Sequence, residues 1–339
     1  MRVALDVTAL DRPGSDRGIG RYVRAVRAAN GLLGNDLVEV TYAARSGRVS
    51  ELSGLVARRV ALARAPFDVF HAPTAYHSLG GRLGRRSVVS MLDLIPLELA
   101  EHRRTGVKAR VFHRLGASAG AILTLSEHTA GRVVEVLGVP RERVVVAPLA
   151  PEPAFVPDGP SLAATGPYVA AMVDLRTPDP RKRAPWIEVL ARRLEPSGFA
   201  TVVVGPGTER LRQAGLDGRG SVTDEEWAQV LRGATLFAYT SEYEGQGLPP
   251  LEAIACGTPV VAMDNSAMPE VVGPAGRLVA EQPGAGGADR LAHEVLGLVS
   301  DPAALAQMRA SCARQAATFS PDRFVRGLET AYELAAGER

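Results

Sequence analysis

Two carboxylates, Glu244 and Glu252, bracket a glycine-rich turn in the stretch EYEGQGLPPLEAIACGTPVVA at 242–262. The turn leads into a predicted helix that begins near Pro249 and stops at Gly257. The start of a helix offers backbone N–H groups and the positive end of the helix dipole, so this loop could hold an anion. The dipole alone also explains Glu252, which we place in the first helical turn. Glu244 precedes the glycines, where it could hydrogen-bond a polyol.

Cations for such an anion lie in the segment LRTPDPRKR at 175–183. Lys108 and Lys182 are the only lysines among 39 basic residues. A compact ammonium suits a phosphate, so Lys182 is a candidate ligand, with an ordinary surface turn as the alternative. Arg176 follows a predicted strand directly, and we expect it to point into a ligand site at the end of that strand.

Short apolar runs alternate with helical spacing along the whole chain. The predicted strands are RVALDV, VEVTYAA, DVFHA, RSVVSML, AILTLS and RVVVAPL in the first half and YVAAMV, TVVVGP, TLFAYT, TPVVAMD and GRLVA in the second. This alternation is typical of parallel sheets that helices cover on both faces. A Pro- and Gly-rich stretch at 148–167 predicts an interdomain linker.

The sequence therefore predicts an α/β protein of two Rossmann-like βα domains that face an interdomain cleft. We place an N-terminal domain at 1–155, a C-terminal domain at 156–320, and a terminal helix at 321–339. For that helix, packing back on the N-terminal domain is considered. In folds of this kind ligands bind beyond the carboxyl ends of the strands.

Composition narrows the classes of partner. Residues 1–150 carry 22 basic and 13 acidic side chains, a balance of +9, whereas the remainder has a balance of −7. An anionic partner would suit the first half, but a solvated basic surface is favoured, and no motif predicts nucleic-acid binding. Two cysteines, no long apolar run and no signal peptide predict a cytoplasmic protein. No metal-ligand spacing occurs, so neither a metal nor a cofactor is predicted.

The run GATLFAYTSEYEGQGLPPLEAIACGTPVVAMDNSAMPEV resembles family 4 glycosyltransferases, which are retaining enzymes of the GT-B fold. The two glutamates have the family's spacing, although Gln246 stands where an aromatic residue is usual. RGIGRYV, ILTLSEHTAGRVVEVLGVPRERVVVAPLAP and RTPDPRKR resemble further family segments. The pattern leans towards the mannosyltransferase-like branch, which favours a GDP-sugar slightly over a UDP-sugar.

The resemblance implies a nucleotide diphosphate sugar donor bound by the C-terminal domain. Glu252 would hold the ribose hydroxyls, Glu244 the hydroxyls of the sugar, and Val222 the base. Arg176 and Lys182 would neutralise the departing diphosphate without a metal. The remaining donor contacts would come from Gly18, Gly20, Gly245, Gln246, Gly247 and Leu248. The acceptor stays open, with an anionic or a small molecule considered.

One departure from the family lies in VVSMLDLIPLE. Leu92 occupies a position where a histidine usually lines the sugar pocket, while the adjacent Asp93, a further catalytic candidate, is kept. Leucine makes no hydrogen bond, so either the donor sugar is modified or apolar on that edge, or catalysis is impaired. The intact remainder of the site favours the first explanation.

Weaker candidates lie in the N-terminal half. His71, Tyr76 and His77 follow a strand and would face the cleft as acceptor-site residues, with a packing role as the alternative. Gly18 and Gly20 could equally form a tight turn into the first helix. For the basic segment EHRRTGVKARVFHRL, a solvated face is favoured over peripheral membrane contact.

We conclude that a retaining glycosyltransferase is the best interpretation. A nucleotide-sugar 2-epimerase or hydrolase, and a non-catalytic nucleotide-sugar-binding relative, are the alternatives.

Overall fold

The structure of the chain is a computed structural model that describes residues 1–11, 18–41, 66–76, 86–99, 106–177, 179–281 and 286–337. The chain divides into two compact units. The first comprises Met1–Leu149 and Pro321–Arg339, and the second comprises Ala150–Ser320. The division falls a few residues before the boundary predicted at 155.

The first unit contains a six-stranded parallel sheet. Its strands are β1 (Arg2–Asp6), β2 (Asp36–Val40), β3 (Val69–Ala72), β4 (Ser87–Ser90), β5 (Ala121–Thr124) and β6 (Val144–Val146). They lie side by side in the order β2-β1-β3-β4-β5-β6. The helices described between them are Ile19–Leu32, Ile95–Glu98, Gly106–Gly116 and Glu127–Leu137.

The central strands of this sheet are buried along their whole length, as the apolar runs predict. Every residue of β3, β4 and β5 is buried. Helices cover a parallel sheet on both faces, so its strands have no solvent side. Phe70, Ile122 and Val133 meet in one core cluster, which joins two strands to the helix Glu127–Leu137.

The C-terminal helix Pro321–Ala336 belongs to the first unit, although the second unit precedes it in the chain. Its apolar stripe is buried and includes Phe324 and Leu328. Phe324 packs edge-on against Tyr22 of the first helix, with ring centroids 6.2 Å apart. The helix therefore completes the core of the N-terminal unit.

The second unit also contains a six-stranded parallel sheet. Its strands are β7 (Tyr168–Met172), β8 (Ala200–Val204), β9 (Asp217–Gly218), β10 (Leu236–Tyr239), β11 (Val260–Asp264) and β12 (Gly276–Ala280). They lie in the order β12-β11-β10-β7-β8-β9. The helices are Pro185–Leu194, Asp224–Gly233, Leu248–Ala255, Met268–Val272, Gly287–Val299 and Pro302–Ala316.

In each sheet the strand order changes direction once along the chain. In sheets of this kind, ligands bind beyond the carboxyl ends of the strands at that point. In the second sheet the chain builds outward from β7 through β8 to β9, then returns to β10 on the other side of β7. In the first sheet the reversal falls between β1 and β3. Neighbouring connections leave such a switch point on opposite faces, so a crevice opens at the carboxyl ends of the two strands.

The predicted strands agree with the observed ones except at two places. The two-residue strand β9 was not predicted, because Asp217–Gly218 has no apolar run to announce it. The second strand was predicted as VEVTYAA, but the observed strand begins earlier, at Asp36. The last residues of the predicted run lie outside the described part. Among the described residues, no helix has both the length and the apolar character needed to cross a bilayer.

Candidate functional site

A charged cluster lies at the switch point of the second sheet, beyond the carboxyl ends of β7 and β10. The segment after β7 forms a short 3-10 helix, Pro180–Lys182, which carries Arg181 and Lys182. The loop after β10 carries Glu244. Because β7 and β10 are adjacent and parallel, both segments leave the sheet at the same edge. The sheet topology thus brings together two sequence segments that are about sixty residues apart.

Three donors converge on one carboxylate oxygen, Oε1 of Glu244. The ammonium of Lys182 forms an ion pair with it, and Arg181 donates from Nη1 at 3.2 Å. The hydroxyl of Tyr239, the last residue of β10, donates to the same oxygen at 2.8 Å. Lys182 also donates to the hydroxyl oxygen of Tyr239 at 2.9 Å. Tyr239 therefore links the cation to the carboxylate.

The surrounding charges keep Glu244 ionised. Its side chain is 13% exposed, and burial alone would raise the pKa of the carboxyl group. The positive charges of Lys182 and Arg181 outweigh burial and lower the pKa of Glu244 to about 2. Burial and the neighbouring Glu244 raise the pKa of Tyr239 well above its usual value, so Tyr239 is a neutral donor. The cluster brings together two cations, Lys182 and Arg181, and two carboxylates, Glu244 and Asp179.

Arg181 was not among the candidates from the sequence, and Arg176 was. The structure places Arg176 in the same loop, with a side chain that is 66% exposed and a weak contact of 3.8 Å to Glu209. The Arg181 side chain is 13% exposed and also pairs with Asp179 at 3.0 Å. The run RKR contained the signal for Arg181, but only the fold shows which of its basic residues reaches Glu244.

The backbone of the Glu244 loop is held by Ser266, which follows β11. Its hydroxyl oxygen accepts the Glu244 backbone N–H at 2.9 Å, and the hydroxyl donates to Oδ1 of Asn265 at 2.9 Å. Ser266 has φ 45°, a left-handed conformation that is uncommon for a residue with a side chain. Such conformations persist where the surroundings enforce them, often at functional sites.

The helix Leu248–Ala255 begins directly after this loop. Gly247 is its N-cap, has φ 91° and provides no side-chain cap. The φ of 91° favours glycine, because a side chain is strained in that conformation. A Cβ atom there would also lie 2.2 Å from Cε of Met268, the flexible end of that side chain. Gln246 is buried at 3% exposure, while Gly245 and Leu248 are partly buried. The run from Gly245 to Leu248, which the resemblance assigns to donor contact, thus forms the turn into the helix.

Glu252 is the fifth residue of that helix, just beyond the first turn in which the sequence placed it. It is 4% exposed, and its Oε2 accepts a hydrogen bond from Nε1 of Trp227 at 2.9 Å. Trp227 lies on the helix Asp224–Gly233, which begins directly after Val222 and Thr223. Val222 is partly buried against the core of this unit. The helix-dipole explanation for Glu252 is weakened, because the carboxylate lies beyond the first turn.

The candidates in the first unit lie at the carboxyl ends of their own sheet. Gly18 is the N-cap of the helix Ile19–Leu32 with φ 55°, and Gly20 is buried within the first turn. Leu92 and Asp93 follow β4 and are partly buried. Asp93 accepts the Ile95 backbone N–H at 3.0 Å, which fixes the start of the short helix Ile95–Glu98.

His71 is fully buried, which favours the packing role over contact with an acceptor. It lies within β3 at 0% exposure. Its ring nitrogens contact the hydroxyls of Ser90 at 2.8 Å and Tyr332 at 3.0 Å. Burial lowers the pKa of His71 to about 3, so the ring is neutral.

The other two acceptor-site candidates have different outcomes. Tyr76 is 38% exposed and packs against Phe112 and His113, with ring centroids 5.3 and 5.9 Å apart. It stays available at the surface. His77 lies outside the described residues. No group of three or more His, Cys, Asp or Glu side chains in the described ranges is placed to hold a metal ion.

A protein-family model matches part of the second unit. Residues 181–301 match the model of the glycosyl transferases group 1 family, a range that contains Lys182, Glu244 and Glu252. The chain therefore carries a glycosyl transferases group 1 domain, which confirms the resemblance to family 4 glycosyltransferases.

Curated relatives narrow the comparison within this class. The chain is 30% identical over 237 residues to O-antigen chain mannosyltransferase B of Escherichia coli, an alignment that covers 63% of this chain and 61% of the relative. It is 38% identical over 91 residues to MMP alpha-(1->4)-mannosyltransferase of Mycolicibacterium hassiacum, covering 26% of this chain and 20% of the relative. The chain thus spans about three fifths or less of these relatives.

Solved structures agree over nearly the whole chain. Anabaena Alr3699/HepE in complex with UDP and glucose superposes with a TM-score of 0.71 at 18% identity, covering 96% of this chain and 97% of that one. Sucrose-phosphate synthase from Thermosynechococcus elongatus superposes with a TM-score of 0.74 at 16% identity, covering 100% of both chains. Likeness at this identity shows the fold, and the GT-B prediction is confirmed. The cleft between the two units stays a prediction.

Proposed function

We propose that the chain is a retaining glycosyltransferase that takes its sugar from a nucleotide diphosphate donor bound at the switch point of the second sheet. The observation that carries the proposal is the cluster of Lys182, Arg181 and Glu244 beyond β7 and β10. It combines cations for a diphosphate with a carboxylate for sugar hydroxyls, directly before a helix N-terminus. The group 1 domain covers these residues and supports the assignment.

Lys182 neutralises the diphosphate leaving group. Breaking the bond between the sugar and the diphosphate builds negative charge on the phosphate oxygens. A preorganised cation lowers the barrier most when it is already in place before the charge develops. Lys182 meets this condition, since Tyr239 and Glu244 hold its ammonium. Arg181 supplies a second positive charge at the cluster, and Arg176 remains a proposed phosphate ligand in the same loop.

Glu244 accepts hydrogen bonds from the sugar, and Glu252 accepts them from the ribose. A carboxylate with a pKa of about 2 remains an acceptor at every physiological pH. Because Lys182 and Arg181 balance its charge, Glu244 adds little repulsion towards a diphosphate nearby. The phosphate itself takes the proton of the acceptor in a retaining transfer on the leaving-group face, so no other general base is required.

The resemblance to the mannosyltransferase-like branch leads us to place a GDP-sugar slightly ahead of a UDP-sugar as the donor. Two of the relatives are mannosyltransferases, whereas the HepE structure contains UDP and glucose. Two residues depart from the family pattern: Gln246 in the second unit and Leu92 in the first. We therefore infer a donor sugar that is deoxygenated or otherwise modified on one edge. The acceptor is of unknown class.

Incubation with a donor in the absence of an acceptor tests the reaction type. GDP-mannose, GDP-fucose, UDP-glucose, UDP-N-acetylglucosamine and ADP-glucose serve as the panel, and NMR follows nucleotide release and the anomer of the sugar first formed. We expect slow hydrolysis of one donor with retained anomeric configuration. A 2-epimer would support the epimerase alternative, and an inverted anomer would contradict retention. Binding without consumption of any donor would support a non-catalytic relative.

A further inference from the structure

The hydrogen bond between Trp227 and Glu252 is buried within the second unit. Nε1 of Trp227 donates to Oε2 of Glu252 at 2.9 Å, and the two residues are 2% and 4% exposed. A carboxylate this far from water needs hydrogen-bond donors, because an unsatisfied buried charge is costly. A donor from a rigid ring also restricts rotation of the carboxylate about its last bond.

Trp227 is itself immobilised on its other side. Its ring packs edge-on against Phe237 of β10, with centroids 5.7 Å apart and planes at 73°. The indole N–H therefore has a defined direction, which is set by the core and not by solvent. Trp227, which lies in the core of the unit, therefore orients the Glu252 carboxylate through this hydrogen bond.

The helix that carries Trp227 also anchors the segment assigned to the base. Thr223 is its N-cap, and the Thr223 hydroxyl accepts the Glu226 backbone N–H while the Glu226 carboxylate accepts the Thr223 backbone N–H. This capping box fixes the chain next to Val222. A single helix, Asp224–Gly233, thus joins the proposed base contact to the proposed ribose contact.

We propose that Trp227 is a positioning residue for ribose recognition. It holds the Glu252 carboxylate in the orientation that accepts hydrogen bonds from the ribose hydroxyls, and the site consequently prefers ribonucleoside diphosphates to their deoxy counterparts. The inference rests on the proposed function, because it takes Glu252 as the ribose-binding residue.

Replacing Trp227→Phe removes the N–H and keeps an aromatic ring in the core. Titration calorimetry with GDP, UDP and ADP, each as the ribonucleotide and as the 2′,3′-dideoxynucleotide, measures the effect. We expect wild type to bind one ribonucleotide at least tenfold more tightly than its dideoxy form. Trp227→Phe should raise the Kd of the ribonucleotide about tenfold, the scale of a hydrogen bond to a charged group, and that of the dideoxy form less than twofold.

Tyr168→Phe is the matched control. The Tyr168 hydroxyl donates to the Val230 carbonyl on the same helix at 2.7 Å, and the residue is 1% exposed. The variant therefore loses one buried hydrogen bond to this helix without touching Glu252. It should lower the melting temperature by an amount similar to Trp227→Phe and leave the ribo-to-dideoxy ratio unchanged. If Trp227→Phe does not fold, β-(3-benzothienyl)alanine at position 227 keeps the ring volume and removes only the N–H.

The outcomes separate this inference from the proposed function. Equal weakening of both nucleotide forms, or no weakening of either, would overturn the positioning role. Equal wild-type affinity for ribo and dideoxy forms would overturn it as well and leave the proposed function standing. If wild type bound none of the three nucleotides, the proposed function would fall, and the ribose role would fall with it.

Discussion

The two units offer a direct comparison, because each has a switch point in a parallel sheet and each places polar side chains there. At β7 and β10 the polar groups are charged and partly exposed, as with Lys182 at 26% and Glu244 at 13% side-chain exposure. At β1 and β3 the ring of His71 is neutral and fully enclosed, and Tyr332 of the C-terminal helix covers it. The two sheets have similar topology, but the polar groups at their switch points differ in charge and exposure.

The energetics of burial explain the difference. A network without solvent is stable when its members are neutral and paired, which is the state of His71 with Tyr22, Ser90 and Tyr332. Charges persist near the surface, where water and counter-charges share the desolvation penalty. The comparison indicates that the charged cluster at β7 and β10 is suited to a ligand, whereas the network around His71 stabilises the core.

The largest effect is expected for Lys182→Ala. Loss of one preorganised donor to a developing anion lowers turnover by about 10²–10³, or about 2.7–4 kcal/mol. The control is Lys108→Ala, which removes the only other lysine, an exposed residue of the first unit. Initial rates of nucleotide release with both variants measure the contrast. Arg176→Ala is expected in the same range, and a twofold change or less for either Lys182 or Arg176 would show that its assignment is wrong.

Glu244→Ala should lower turnover by about 1.5–3 kcal/mol, through a lost hydrogen bond to a charged group. Because the pKa of Glu244 is about 2, the carboxylate is ionised throughout the range from pH 5 to 8. The loss in rate should therefore be the same at both ends of that range. Glu294→Ala, which removes a surface partner of Arg277, is the control. A pH-dependent loss, or none, would contradict the proposed role.

At the other switch point the expected effect is on stability. The pKa of His71 in the folded chain is about 3, below the usual histidine value of 6.5, so between these values the unfolded chain binds a proton that the folded chain does not. The free energy of unfolding should fall as pH falls through this window, by about 2 kcal/mol at pH 5. Urea unfolding at pH 7 and pH 5 should show a loss that is larger in wild type than in His71→Gln by about 2 kcal/mol, since the lowered pKa of the buried His113 contributes to the loss in both proteins. Equal losses in both proteins would indicate a solvated histidine at 71.

The smallest effect is expected at Leu92. Leu92→His restores the polar side chain that family members usually carry, so turnover of an ordinary hexose donor should rise by a few-fold. Leu92→Met is the control, since it keeps an apolar side chain of similar volume. Equal rates for the two variants would count against a modified donor sugar.

The sequence predicted the parts of this molecule that depend on local patterns. Apolar runs predicted the strands, and the Pro and Gly signals around 248–257 predicted the helix that follows Glu244. It did not predict which charged residues meet. Arg181 reaches Glu244 from the 3-10 turn Pro180–Lys182, whereas Arg176 precedes that turn and contacts Glu209 instead. The sequence also did not predict that His71 is buried. Its ring contacts Tyr332, which the C-terminal helix brings back from the far end of the chain.

The most direct test of the nucleotide-sugar site is the shift in thermal stability that GDP, UDP and ADP produce in wild type and in Lys182→Ala. At about 100 times its dissociation constant, one of these nucleotides should stabilise wild type by about 2.7 kcal/mol. Lys182→Ala should lose most of that stabilisation at the same concentration. No shift with any of the three, or an equal shift in both proteins, would contradict a diphosphate site at the β7–β10 switch point.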